Sequence, residues 1–181
     1  MFQKLQPINI TSYKSKGKYQ LISFDGSLKI SDQDIEDIVR ICNEQSIYNF
    51  IFKAKLNNEK YTRKAALSFI NFAWNGWRNN THFVFIIKNE ESRIVGALDI
   101  KSFNLDDAEI GYWLSAQESG VMTNAVTELI KLAQRVGYKK LSALVSSDNN
   151  RSQGVLQRNN FINWGPIIKD QKKYIKYEIY L

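Results

Sequence analysis

Hydrophobic and polar positions are most legible between Ala108 and Phe161, and the rest of the chain is read around that stretch. Ala108 to Leu114 (AEIGYWL) reads as a strand, and a polar turn ending at Gly120 breaks it. Beyond the turn, Met122, Ala125, Val126, Leu129, Ile130, Ala133 and Val136 recur at three- and four-residue steps. That spacing predicts a helix from Thr123 to Val136 with one apolar stripe. Gly137 stands where a left-handed cap would end it. Leu141 to Val145 is short, apolar and bounded by SSDNN, the pattern of a buried strand entering a turn, and a shorter second helix follows. Strand, helix, strand in this order implies parallel neighbours and a right-handed crossover.

Elsewhere the pattern is plainer. Met1 to Lys18 is polar with little periodicity, either an added strand or a loosely held extension. Tyr19 to Ile30 reads as strand material interrupted at Asp25-Gly26, a dipeptide that suggests a hairpin. Ser31, with Asp34 three residues later, has the form of a helix start, and Ile35, Ile38, Val39 and Cys42 supply that helix's buried face. From Asn43 to Lys60 the periodicity weakens, leaving Tyr48, Phe50 and Phe52 among polar residues. A helix from Thr62 to Trp77 is predicted by the stripe Ala66, Phe69, Ile70, Ala73 and Trp74. His82 to Lys88 and Ile94 to Ser102 pair about the turn Asn89 to Ser92 and lead into AEIGYWL as an antiparallel meander. Pro166 marks Ile162 to Lys169 as an edge or a bulge, and the closing YIKYEIYL alternates with Ile175, Tyr177, Ile179 and Leu181 on one face.

Composition narrows the class. With 181 residues, 44% apolar and 24% charged, the chain is expected to be a single domain with a substantial core. The net charge of +7 suits an anionic partner, although the lysines are scattered and no nucleic-acid motif is present. One cysteine, Cys42, excludes an intrachain disulfide and reads as a small buried apolar side chain; with one histidine, His82, no zinc site of the usual kind is expected. No apolar run approaches the roughly 18 residues of a membrane span. A soluble cytoplasmic protein, monomer or homodimer, is the expectation.

A glycine-bearing loop between a strand and a helix N-terminus presents unpaired amides and the positive end of a helix dipole, which suit a phosphate. Such loops are also often only tight connections. EIGYWL, the glycine loop, VMTNAV and then DNNRSQGVLQRNNF together resemble the GNAT superfamily of N-acetyltransferases over Gly26 to Leu181, in particular the ribosomal-protein alanine acetyltransferase (RimJ/RimL-like) branch. The resemblance implies an α/β (α+β) fold: a central mixed, mostly antiparallel sheet of six to seven strands flanked by four helices. It implies acetyl-coenzyme A as co-substrate, with no metal and direct transfer to a primary amine: a protein N-terminus, a polyamine or another small amine. Gln117, Ser119, Gly120, Val121, Met122 and Thr123 would grip the pyrophosphate, and Trp113 and Leu114 would border the pantetheine arm. Asn149 matches a cofactor clamp or else caps the second helix, and Ser152 matches a serine proposed to bond the coenzyme sulfur. The residues between Asn43 and Lys60 would border the acceptor pocket, or plug the end of the core.

For the base, Glu109 on the central strand is the first choice and Asp99 the second; the plainer reading of Glu109 is a strand-end charge facing solvent or a lysine. Leu156 occupies the position where many relatives carry a tyrosine acid, so Ser152, water or no acid serves the thiolate. Tyr112 reads as structural, and Arg151 and Arg158 are candidates for the ribose phosphate. The loop keeps Gln117 and one glycine but ends in Met122, is shorter than the family's, and places Glu118 beside the expected phosphates. Two classes therefore remain: an acetyltransferase, or a catalytically degenerate binding or regulatory protein on the same fold.

Overall fold

The computed structural model describes Phe2 and residues 5–181. Among these, eight strands form one sheet: β1 Ile8–Thr11, β2 Lys18–Ser23, β3 Phe83–Asn89, β4 Ile94–Ile100, β5 Ala108–Leu114, β6 Lys140–Ser146, β7 Ile162–Lys169 and β8 Lys172–Tyr180. The order is β1-β2-β3-β4-β5-β6-β8-β7, antiparallel except for β5 beside β6. The helices are α1 Asp32–Cys42, the single turn α2 Gln45–Ile47, α3 Arg63–Asn79, α4 Val121–Val136 and α5 Asn150–Arg158. The sheet exceeds the expected six to seven strands because Ile8–Thr11, in the weakly patterned N-terminal segment, pairs with β2 from Ile8 opposite Leu21 to Thr11 opposite Lys18.

Period-two alternation along the strands builds two cores, one on each face. Phe83, Phe85 and Ile87 of β3 face α4 together with Ile110, Leu129 and Tyr177, whereas Val84 and Ile86 face α1 and α3 with Ile38, Ile41 and Ile70. A bulge opposite Ile87 and Lys88 shifts the phase of β4, so that Ile94 and Ala97, three residues apart, share the α1–α3 core while Val95 and Leu98 share the α4 core. The predicted apolar face of β8 packs into the α4 core, with Tyr177 fully buried. Glu178, on its opposite face, is buried too and is paired with Lys140 and Lys176. β7 is both the sheet edge and irregular between Asn163 and Pro166, as a strand proline requires.

Local signals set the helix boundaries. Ser31 and Asp34 make the reciprocal capping box of α1, and Gly137 closes α4 at φ 99°. Asp25-Gly26 does not form the predicted hairpin: Ser27 N–H donates to Asp25 Oδ1 at 2.9 Å, and the turn carries the chain from β2 into α1. The N-terminal hairpin lies instead between β1 and β2, closed by Ser12 N–H to the Gly17 carbonyl at 2.9 Å. Cys42 is buried and its thiol is pushed up by that burial, in keeping with a packing role. Among the described residues no helix is long and apolar enough to cross a membrane.

Asp34 joins α1 to the sheet, accepting from Lys88 Nζ at 2.8 Å as well as from the Ser31 amide. Burial raises its pKa, but the hydrogen bonds from Lys88 and Ser31 outweigh that, and the net shift is downward. The stability it contributes is therefore complete above the ordinary aspartate value of about 3.9 and is lost as pH falls through the lower folded value. Asp34→Ala is expected to cost about 3 kcal/mol at neutral pH in urea unfolding, the low end for one partner of a buried pair. The acid limb of the stability–pH curve should become shallower in the variant.

Candidate active site

The site begins where two strands part. β5 and β6 pair only at Ala108 opposite Leu141 and Glu109 opposite Ser142. Beyond that point β5 continues on β4 as far as Leu114 opposite Gly96, and β6 continues on β8 as far as Ser146 opposite Tyr174. The gap opens between the carboxyl ends of parallel strands, where ligands of open α/β sheets bind.

A cavity of about 270 Å³ lies on one side of the gap, bordered by the start of α4, the start of α5 and the β1–β2 turn. α4 begins at Gly120, whose φ of 78° is left-handed, and no side chain caps it. A Cβ at Gly120 would also stand 2.8 Å from Ser12 Oγ and 3.0 Å from the Lys14 amide, so this one glycine is required twice over. The loop's carbonyls are engaged from the other side: Ser12 Oγ donates to the Ser119 carbonyl at 2.7 Å and the Tyr13 amide to the Gly120 carbonyl at 3.3 Å. Glu44 holds the loop's start, accepting from Ser115 Oγ at 2.7 Å and from the Ala116 amide at 2.5 Å. Glu118 accepts from Tyr19 Oη at 2.5 Å; burial first and this carboxylate second push the Tyr19 phenol up to about 12. Lys14, Arg151 and Arg158 line the same cavity, and Arg158 is fixed by its Nε bond to Thr123 Oγ1 at 3.1 Å.

A second cavity, of about 480 Å³, lies on the α3 side. Phe50, Ile51, Tyr112, Trp113, Asn149 and Ser152 line both cavities and mark their junction. At that junction Ser152 Oγ donates to Tyr112 Oη at 2.8 Å, and Tyr112 Oη donates to the Ser152 carbonyl at 3.0 Å. Phe50 and Ile51 reach it from a π-helical turn, Tyr48–Phe52, closed by Lys53 N–H to the Tyr48 carbonyl at 2.8 Å. Such turns are frequent at functional sites. Between Asn43 and Lys60 a single helical turn, this π-helical turn and a run of turns follow one another, so no one period is sustained.

Asp99 lines the second cavity opposite Gly111 in the β4–β5 register. Burial pushes its carboxyl up to about 6, against the opposing pull of Lys101, the Gly111 amide and Lys55. A Cβ on Gly111 would meet Asp99 Oδ1 at 2.8 Å, so the glycine of EIGYWL makes room for this carboxylate.

Of the residues named from sequence, the structure brings Trp113, Leu114, Ser119, Gly120, Met122, Thr123, Asn149 and Ser152 to the first cavity. Val121 is fully buried and Gln117 lines neither cavity. Asn149 caps α5, accepting from the Ser152 amide at 3.2 Å, and lines both cavities as well. Glu109 lines neither; it is clasped by Lys101 and Lys169, which bring its pKa below the ordinary range although burial acts upward. Tyr13 and Lys14 of the β1–β2 turn, and Lys55, Phe69 and Phe72 at the second cavity, were not singled out from sequence. Lys14, Lys16 and Lys18, close together in the sequence, are the one signal that points toward the first pair.

The family model of the acetyltransferase (GNAT) domain matches residues 28–162, and the chain belongs to this family. No curated protein sequence matches it. Among solved structures it is similar to Mycobacterium smegmatis RimJ in complex with CoA-disulfide (17% identity, 96% of this chain and 86% of that one, TM-score 0.74). It is also similar to the ribosomal-protein-S5-alanine acetyltransferase from Vibrio fischeri (19%, 90% and 92%, 0.70). A third likeness is to spermidine N-acetyltransferase from Vibrio cholerae in complex with CoA and spermine (12%, 90% and 95%, 0.69). These likenesses establish the fold.

The Asp99 carboxyl is expected to titrate near pH 6 in carbon-13 NMR of the free protein. A Gly111→Ala variant, in which the methyl crowds that carboxylate, should move the midpoint while leaving the Asp34 resonance in place.

Proposed function

We propose that the protein is an acetyl-coenzyme A-dependent N-acetyltransferase acting directly on a primary amine. The observation that carries this reading is the continuous lining from the uncapped start of α4, through the parted ends of β5 and β6, to the carboxylate of Asp99.

The residues present fit acetyl-coenzyme A. The α4 amides from Val121 to Thr123 and the cations Lys14, Arg151 and Arg158 suit its phosphates, and the open edge of β5 at Trp113 and Leu114 suits its amide-bearing arm. Tyr19 offsets Glu118 by donating to it, so the acid in the loop is engaged within the protein. When bound, this co-substrate supplies an activated acetyl thioester.

The reaction forms an N–C bond and breaks a C–S bond; the acceptor amine loses a proton and the sulfur gains one. Asp99 is our choice of base, ahead of Glu109. A carboxyl near 6 is ionised at neutral pH yet basic enough to draw a proton from an amine in the cavity. Glu109 is tied to two lysines and held at lower basicity. The Ser152 hydroxyl, once turned from Tyr112 toward the cavity, would serve the leaving sulfur.

A protein N-terminus, a polyamine or another small amine is the acceptor class; the names of two neighbours give a ribosomal-protein alanine and spermidine as theirs. Calorimetric titration with acetyl-coenzyme A should give saturable binding. Asp99→Asn should lower turnover by about 10²- to 10⁴-fold with that binding retained. Because the base works deprotonated, wild-type turnover should rise as pH passes through about 6 and then level off. Binding without turnover on any amine would favour the regulatory alternative; absence of binding would remove the enzyme reading.

A further inference from the structure

We propose that the acceptor is a small aromatic primary amine carrying an anionic group, bound in the second cavity with its ring on a phenylalanine wall and its anion at Lys55. This rests on the acetyltransferase reading and narrows it.

The argument starts from the charges that line the cavity. Among the described residues they are Asp99, Lys55 and Lys101, two cations against one carboxylate. A polyamine would bring several positive charges to this wall, and those beyond the first would meet Lys55, which has no carboxylate partner among the described residues. Lys101 is already held by Glu109. Lys55 is exposed and lines the same cavity as Asp99, the carboxylate that would receive the amine proton. An amine that carries its own anion satisfies both ends: nitrogen toward Asp99, anion toward Lys55.

The body of the acceptor is set by the wall. Phe50 and Phe52 enter from the π-helical turn, and Phe69 and Phe72 from successive turns of one α3 face. Phe50 and Phe72 remain 39% and 49% exposed, although Phe72 is stacked on His82 with ring centroids 3.8 Å apart, so an apolar surface is left open at this cavity. Phe69 leans on Trp113 with ring centroids 6.1 Å apart, so the wall continues to the junction where the acetyl group would be delivered. Rings of this kind prefer an aromatic guest in offset or edge contact.

A carboxylate and a phosphate satisfy Lys55 alike, so both are tested. The panel is L-phenylalanine, tyramine phosphate, L-phenylalaninamide, phenethylamine, spermidine and a neutral alanine tetrapeptide, assayed by thiol release from acetyl-coenzyme A. An anionic aromatic amine should exceed its neutral counterpart by about tenfold in kcat/KM, the value of one charge-assisted bond. That ratio should fall toward one in Lys55→Ala, whatever the variant's absolute rate. Which of L-phenylalanine and tyramine phosphate is better identifies the anion. Preference for spermidine, the tetrapeptide or the neutral amines overturns the proposal, as does a ratio unchanged by Lys55→Ala. Binding of the same compounds, followed by tryptophan fluorescence without acetyl-coenzyme A, keeps the two readings apart. An anion preference there that depends on Lys55, with no coenzyme binding, would keep the ligand class of the cavity but overturn its role as acetyl acceptor. Coenzyme binding with no such preference, in either assay, overturns it and leaves the transferase reading standing.

Discussion

The structure depends on a parallel strand pair that is allowed only two residues of register. β5 and β6 meet at Ala108–Glu109 and Leu141–Ser142 and then diverge, because each is committed to an antiparallel partner on its other side. A sheet left open in its middle exposes backbone groups that must be satisfied by something other than a neighbouring strand. The protein places α5 and the Ser152–Tyr112 pair at that opening and leaves the remainder as cavity. The two hydrophobic cores, one per face, hold the halves of the sheet in this posture, so the gap is a property of the fold.

The second determinant is the way the N-terminal hairpin supports a loop with a single glycine. Ser12 and Tyr13 bond the loop's carbonyls, Tyr19 engages Glu118, and Glu44 holds Ser115 and Ala116 from the α1–α2 side. With the Ser119 and Gly120 carbonyls secured by the hairpin, the first amides of α4 are left without intrahelical partners, and Ser119, Gly120, Met122 and Thr123 line the cavity. Support from neighbouring side chains thus stands in for the backbone freedom that additional glycines would have given, and the acidic residue in the loop becomes part of that support.

Much of this was legible in the sequence, for physical reasons. The stripe from Met122 to Val136, the left-handed cap at Gly137 and the capping box at Ser31 are local signals, and local energetics decide them. The family resemblance pointed to the loop and the Asn149–Ser152 segment, both of which line the first cavity. β1 was legible only as one of two alternatives, because a four-residue edge strand with one buried side chain carries almost no periodicity. Asp25-Gly26 misled because a turn dipeptide does not reveal whether a strand or a helix comes next. The relation between Asp99 and Glu109 was also beyond the sequence: both stand on the α3 side of adjacent strands, and only the third dimension shows two lysines around one and a cavity around the other. The aromatic wall was split between a π-helical turn and α3, two segments whose neighbourhood no spacing rule encodes.

The central claim is that the amides opening α4 receive the diphosphate of the coenzyme in the gap between β5 and β6. The most direct test is nitrogen-15 NMR of the backbone during titration with coenzyme A. Saturable shifts concentrated at Ser119 to Thr123 and at Trp113 and Leu114 are the predicted result. Shifts confined to the scattered surface lysines, with those amides unmoved at saturation, would contradict the account.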